Sequence, residues 1–481
     1  MSRLNRRRFL QTAAATAAVS PFVISGTKSS GNVIGSNERI NHAVVGINGR
    51  GQSHISGFGG MDDVQVVCLV DPDTRLFDAR SKSVEKHEGK APKCVQDVRV
   101  ALEDKNIDTI SIATPNHLHS LISIWGCQAG KDVYVEKPLS HNVFEGRQLV
   151  KAAKKYDRIV QHGTQNRSSQ GLANVIAAVQ SGRYGKLTVS KGYCCKPRWS
   201  IGTKPVSAPP QGLDFDLWLG PAQKHDYHGN LVHYNWHWFW EFGNGDTGNQ
   251  GVHEIDVARW AIPNATLPTK VWSLGGRFAY EDQGETPNTQ VTVFEYGDVK
   301  LLFETRGLVG KYNQDRMVTN EFFTTEGKIS KDGTFTPNGG GKSEKVKVDE
   351  DDQREKVTSG GPFGSFITAV RSRKNSDLNC DAEVGHYSSA LCHLANISYR
   401  LGKPVPFNGR TKGLGENQQV RESLEAVREN LTAVGVPLEE TEYLLGRELA
   451  FDPKTEKFDD PAANEMLTRA YREPFVVPEN V

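Results

Sequence analysis

Ile40-Asn41-His42-Ala43-Val44-Val45-Gly46-Ile47-Asn48-Gly49-Arg50-Gly51 reads as a short buried strand running into a glycine-rich turn. Set against the pattern G-x-G-x-x-G, it has Asn48 where the second glycine belongs, and Gly49 supplies an extra one. Such a turn brings backbone N–H groups and a helix N-terminus against a pyrophosphate. Alone the pattern is weak; its surroundings strengthen it. Val64–Val70 (VQVVCLV) reads as a second strand and ends at Asp71, 71 − 51 = 20 residues beyond Gly51. An acid there can hold a ribose 2′-hydroxyl and repel a 2′-phosphate.

Residues 109–113 (TISIA), 133–135 and 158–161 read as three more buried strands, with helix-like stretches at 118–129 and Val143–Lys155. Strands alternating with helices imply βαβ units and a parallel sheet. Beyond about residue 165 the texture changes. Residues 187–193, 269–274, 290–296, 300–305 and 321–325 read as strands joined by turns, which predicts a largely antiparallel sheet. Residues 331–361 are rich in glycine and charge and read as a hairpin or loop. Residues 363–371, 386–401 and 418–434 look helical, and no internal repeat is visible.

Two further signals lie at the carboxyl ends of predicted strands, where open α/β sheets take their ligands. Ala113-Thr114-Pro115-Asn116-His117-Leu118-His119 follows the third strand. Gly130-Lys131-Asp132-Val133-Tyr134-Val135-Glu136-Lys137-Pro138-Leu139 sets a charged pair directly after the fourth. A third signal, Gly248-Asn249-Gln250-Gly251-Val252-His253-Glu254-Ile255-Asp256-Val257-Ala258-Arg259-Trp260, puts His253 and Asp256 on one face of a helix. In this combination the chain resembles the Gfo/Idh/MocA family, that of glucose-fructose oxidoreductase and inositol dehydrogenase, from about Arg39 to about Pro404.

The resemblance implies an α/β fold: an N-terminal Rossmann domain, then a C-terminal α/β domain with a large, mostly antiparallel open sheet. The expected limits are a signal and linker at 1–36, a cofactor domain at 37–164, a substrate domain at 165–405 and a C-terminal extension at 406–481. The implied activity is an NAD-dependent oxidoreductase acting on a hydroxyl of a sugar or sugar derivative. NADP is the second choice, kept open by Arg75 near Asp71. By matching position, Gly46, Asn48, Gly49, Arg50, Gly51 and Asp71 hold the cofactor's phosphates and ribose. Thr114, Pro115, Asn116, His119, Glu136 and Pro138 map to the cofactor-side shell, and Lys137 to the lysine beside the nicotinamide and the reacting hydroxyl.

In the dehydrogenases of this family the histidine of the third motif, here His253, is the base, and an aspartate four residues earlier assists it. That earlier position is Asn249. An amide can position a hydroxyl but cannot take a proton near neutral pH. His253 must therefore act alone or with another group. Arg167, Arg198, Trp199, Trp236, His237 and Asp256 are further substrate candidates. Trp236 and His237 belong to the aromatic run Tyr234-Asn235-Trp236-His237-Trp238-Phe239-Trp240, whose rings can stack on a sugar or pack in a core. His225, His228, His233, His237 and His253 have no carboxylate or cysteine placed in a ligand pattern, so no metal is expected.

Three uses of such a site are open. One is a dehydrogenase or sugar-to-sugar transhydrogenase that keeps its cofactor. A second is a redox-neutral glycosidase: oxidation, elimination, hydration and reduction on retained NAD. The third is a non-catalytic sugar-binding protein on the same fold.

The net charge of +1 over 481 residues, with no basic tract, gives no footprint for nucleic acid. No later stretch has the length of a membrane span. The family's open sheet implies a homo-oligomer formed through the C-terminal domain. Arg6-Arg7-Arg8-Phe9-Leu10-Gln11, followed by an alanine-rich apolar stretch, is a twin-arginine signal that directs export to the periplasm. The seven cysteines are scattered and odd in number, so they make no disulfide framework. Export in folded form leaves free thiols in such a protein. Replacing Arg6, Arg7 and Arg8 with lysines should leave the protein in the cytoplasm, as fractionation would show; unchanged export would refute the signal.

Overall fold

Strands too apolar to face water on either side form the first sheet. The computed structural model describes residues 39–309, 317–349, 355–407 and 417–481, so the expected signal at 1–36 lies outside the described residues. The six strands are β1 (Ile40–Val45), β2 (Val64–Val70), β3 (Lys93–Val95), β4 (Thr109–Ile112), β5 (Asp132–Val135) and β6 (Val160–His162). They pair in the order β3-β2-β1-β4-β5-β6, all parallel. Every residue of β4 and β5 is buried, as a sheet covered on both faces requires. The strand order reverses between β1 and β4, and the crevice beyond their carboxyl ends is the ligand position of such sheets. β3 escapes sequence reading because three residues hold too little periodicity.

The second sheet has twelve strands. They are β7 (Leu187–Cys195), β8 (Lys270–Gly276), β9 (Thr289–Tyr296), β10 (Val299–Arg306), β11 (Met317–Thr324), β12 (Gly327–Ser330), β13 (Thr334–Pro337), β14 (Glu344–Lys345), β15 (Lys403–Pro406), β16 (Glu442–Leu445), β17 (Leu449–Asp452) and β18 (Lys457–Phe458). The main path runs β14-β13-β12-β11-β7-β10-β9-β8-β16-β15, with β17 on β8 and β18 on β17. Only the β7–β10 pair is parallel among the described residues. Alternation along each strand sends neighbours to opposite faces. Leu301 and Phe303 meet the helices Gln170–Gln180, Gly251–Trp260 and Ala382–Arg400. Leu302, Val291 and Trp272 face the other way.

That other face is covered by the chain itself. Asn417 caps the helix Gln418–Ala433 by accepting from the Val420 N–H at 3.2 Å. Val420, Val427 and Leu431 from this helix pack onto Val189, Val293 and Leu302 of the sheet. Lys191 in β7, ion-paired with Glu304 at 3.0 Å, also donates to Ser423 of the helix at 2.7 Å. The expected boundary at 405 therefore does not hold in space. Residues 417–458 complete the second domain, because β16 and β17 both pair with β8. The first domain is likewise discontinuous. The helix Gly361–Ser372 packs Phe366 and Val370 against Phe58 and Tyr134, and Phe475 and Val477 join the cluster of Leu121 and Val150.

Leu431 is fully buried between helix and sheet. Leu431→Ala should cost about 2–5 kcal/mol, read as a shift in the urea midpoint of the whole chain. A neutral result would show the C-terminal helix to be an appendage.

Candidate active site

The turn after β1 is held from behind. Gly46 has φ +79°, and a Cβ there would stand 2.7 Å from the Thr114 nitrogen. At Gly51 a Cβ would stand 1.9 Å from the Gly46 carbonyl oxygen. Gly49, in contrast, has open space where its Cβ would be. No side chain caps the following helix, Arg50–Gly59; its Gly51 and Gln52 N–H groups donate to the Asn48 and Gly49 carbonyls at 2.8 and 3.1 Å, and its N-terminus faces the cleft at Arg50. Asp71 accepts the Ile47 N–H at 2.9 Å and the Asp73 N–H at 3.0 Å. It thereby ties the glycine turn to the end of β2. Burial pushes its carboxyl up to about 6, against the pull of those two N–H groups.

A cleft of about 270 Å³ follows from this turn. It is lined by Gly46, Asn48, Gly49, Arg50, Asp71, Thr114, Pro115, Asn116, His119, Glu136, Lys137, Trp236 and Asn249, all expected from the sequence. Gly51 and Pro138 stand behind the wall. Gly51 closes the turn, and the Pro138 carbonyl faces His119 Nδ1 at 2.6 Å. The other nitrogen of His119 faces the Thr114 carbonyl at 2.9 Å. His119, kept neutral by burial, has one N–H to donate and sits between the carbonyls of two cleft loops.

Glu136 is buried at the centre. Arg50 Nε donates to its Oε1 at 2.7 Å, and His54 Nε2 lies 3.2 Å away. Burial works to raise its pKa, but His54 and Arg50 hold it well below the usual carboxylate range. Lys137 points the other way and donates from Nζ to the backbone carbonyl of Asn249 at 2.6 Å. Burial lowers the Lys137 pKa, with Glu136 opposing. His253 stands near this pair on the helix Gly251–Trp260. Burial first, then the Lys137 charge, lowers it to about 3, so its imidazole is neutral across the physiological range. Asn249 thus holds Lys137 by its backbone carbonyl and lines the cleft.

Five of the substrate candidates are turned elsewhere. Arg167 Nε donates to both Asp256 oxygens at 2.9 Å, with its guanidinium over Trp260. Asp256 also accepts from Ser388 at 2.6 Å, so the pair pins two helices together rather than facing the cleft. Arg198 is spent on a bidentate pair with buried Asp246 at 2.9 Å. Trp199 packs with the outer-face cluster of the second sheet, and His237 is buried on the Tyr234 carbonyl. Arg167, Arg198 and Asp256 are satisfied by partners far along the chain, His237 by a carbonyl three residues before it.

The cleft also has a cover. Residues 210–238 of the second domain lie across the β2 end. Thr74 N–H donates to the Gly212 carbonyl at 2.9 Å, and Asp214 N–H to the Pro72 carbonyl at 2.9 Å. His233 Nε2 is 2.9 Å from Asp73 Oδ2. Trp218, His233 and Tyr234 line the cleft from this segment, as Pro72, Ala113 and Leu118 do from the first domain. None of these six was expected as a site residue, although Ala113 and Leu118 stand in the motif after the third strand, His233 in the histidine set and Tyr234 in the aromatic run. The cover residues sit in an irregular stretch whose only signal was aromatic content.

Residues 40–164 match the model described as "Oxidoreductase family, NAD-binding Rossmann fold", and residues 170–276 its C-terminal alpha/beta domain. Over these two stretches the chain is similar to the Gfo/Idh/MocA oxidoreductase family. The first is an NAD-binding Rossmann domain. Among curated relatives, levoglucosan dehydrogenase of Pseudarthrobacter phenanthrenivorans is 25% identical over 258 residues, 48% of this chain and 57% of that protein. A glycosyl hydrolase family 109 protein of Shewanella pealeana is 25% identical over 218 residues, 41% of this chain and 48% of that protein. The chain thus spans about half the length of these two relatives. Among solved structures, the WlbA dehydrogenase of Bordetella pertussis, in complex with NADH and UDP-GlcNAcA, superposes with a TM-score of 0.54 at 19% identity. The match covers 74% of this chain and 94% of that one, and shows a shared fold.

With a carboxyl at about 6, Asp71 is ionised above that pH and protonated below it. Only the carboxylate accepts the turn N–H groups and a ribose diol together. NAD affinity should therefore weaken as pH falls through about 6, up to about tenfold per unit below it. Titrations of the stripped protein across that window check this. Asp71→Asn should bind weakly at every pH; a wild-type profile that stays flat would refute the assignment.

Proposed function

We propose that the protein is an NAD-dependent oxidoreductase that acts on a hydroxyl of a sugar or sugar derivative and keeps its cofactor bound. The observation that carries this is the Lys137 Nζ donating to the Asn249 carbonyl at the cleft wall, with His253 near enough for the Lys137 charge to lower its pKa. The residues present fit the cofactor. Gly49 leaves room for a pyrophosphate, the helix behind it is uncapped, and Asp71 stands where a ribose diol would lie. A nicotinamide bound there supplies a hydride acceptor.

The chain's own residues do the rest. His253 is neutral and takes the hydroxyl proton as the C–H electron pair leaves the carbon. Lys137, held by the Asn249 carbonyl, directs its remaining N–H donors to the substrate oxygen. Asn249 positions the hydroxyl without exchanging a proton. Trp236 and the 62%-exposed Tyr234 offer ring faces at the mouth. The cover at 210–238 crosses the cofactor cleft, which favours retention of the dinucleotide.

The similarity to a glycosyl hydrolase family 109 protein supports a second use of the same groups. A ketone made at the substrate acidifies its neighbouring C–H. Loss of that proton expels a leaving group, water adds, and hydride returns, so the cofactor ends as it began. Both readings suit a protein exported folded by the twin-arginine route, away from the cytosolic dinucleotide pool. The middle of the second sheet is covered by the helix Gln418–Ala433. An oligomer formed through that sheet would therefore use its β11–β13 end, where Val318 is exposed and Glu321 half-buried.

On adding sugars and glycosides to purified protein freed of loose nucleotide, reduced-nicotinamide absorbance should rise by one equivalent per chain or less, or only transiently. Lys137→Ala and His253→Ala should abolish the signal while nucleotide stays bound. Steady reduction of added free NAD over many turnovers would overturn cofactor retention.

A further inference from the structure

The helix Ala382–Arg400 carries a polar edge that the cofactor cleft does not use. A cavity of about 290 Å³ opens between this edge, the turn at 141–142, the end of the aromatic run and the tail at 465–469. Ligand pockets run from roughly 300 to 1,000 Å³, so this one suits a single small ring. Trp240, Glu241, His393, Arg400, Glu465 and Arg469 line it, and none of them lines the cofactor cleft.

Their chemistry narrows the occupant. Arg400 lies 5.0 Å from the Trp240 ring centroid. Arg469 pairs with Glu241 at 3.4 Å and donates from Nη1 to the Glu241 carbonyl at 2.7 Å. Arg469 Nε and Nη2 are buried without a hydrogen-bond partner among the described residues. Burial lowers His393 to about 3, so it is neutral, and its two ring nitrogens lie 3.2 Å from the Ser140 hydroxyl and 3.4 Å from Asn244 Nδ2. The wall thus holds two guanidiniums, two carboxylates, a neutral imidazole and an indole. An anion would meet Glu241 and Glu465, and a cation would meet Arg400 and Arg469. A neutral molecule with several hydroxyls can donate to one set and accept from the other, and the indole suits the apolar face of its ring.

An amide pair links this cavity to the cofactor cleft. Asn244 lines the cavity and Asn116 lines the cleft, and Asn116 Nδ2 donates to Asn244 Oδ1 at 3.1 Å. Asn244 Nδ2 in turn donates to the His141 carbonyl at 3.0 Å. Both asparagines are buried, so a shift of one is passed to the other. We propose that the cavity is a second site, for a neutral saccharide unit that does not react, and that its occupancy is felt at the cofactor cleft through Asn244 and Asn116. The ligand class rests on the lining groups together with the sugar reading of the main site.

Calorimetric titration of the purified holoprotein with glucose, galactose and N-acetylglucosamine tests this. Thr468 is an exposed lining residue, so Thr468→Trp fills the cavity from its rim, and Trp240→Ala removes the ring face. The expected result is a saccharide-binding event weakened about tenfold or more in both variants and untouched by His253→Ala. Occupancy should also shift the fluorescence of bound reduced nicotinamide in the wild type and not in Thr468→Trp. Binding that is absent, or equal in wild type and both variants, overturns the site. Binding with no fluorescence response overturns the coupling. If no protein shows a sugar-dependent absorbance change but Trp240-dependent binding persists, the reaction reading fails and the second site stands.

Discussion

A carboxylate buried in protein must be compensated where it stands, and Glu136 is compensated by the parts of the molecule that its neighbours serve. Arg50 and His54 reach it from the helix that opens the phosphate turn. Gln165, at the link into the second domain, approaches at 3.4 Å. The next residue along is Lys137, which can turn outward to the Asn249 carbonyl because Glu136 has turned inward. One buried charge thus sets the register between the dinucleotide turn, the reacting end and the domain junction. Removing a partner would leave an uncompensated charge in a dry place, a large cost.

Around that centre the polar groups form layers of support. Asp71 holds the glycine turn to β2, and His119 sits between the loop after β4 and the segment after Lys137. Arg167 and Asp256 lock the helix of His253 to its neighbours. Burial first and then the Lys137 charge lower the His253 pKa, with Glu136 and Asp256 opposing.

The second domain does more than supply a wall. Its 210–238 segment reaches back over the β2 end, and its C-terminal helix shields the sheet face that would otherwise be open. Both features use long-range contacts to bury surface within one chain. The seven cysteines are all free, buried or half-buried, and none is in the cleft lining, so the thiols are kept by packing rather than by bonding.

The amino-acid sequence by itself determined the parallel sheet, the glycine turn and the expected cleft wall, because these depend on local periodicity and on residues close in the chain. Gly46, Asp71, Asn116 and Lys137 were legible since each sits at the end of a readable strand. The sequence also showed the missing acid at Asn249. Tertiary structure alone decided which polar residues were free to act. Arg167, Arg198 and Asp256 have the right chemistry for a pocket but are claimed by partners 48 to 132 residues away. His233 and Tyr234 reach the cleft only because the 210–238 segment folds back across it. The stretch after 405 looked like an extension because short strands carry little pattern. Pairing with β8, formed more than a hundred residues earlier, made it part of the second domain.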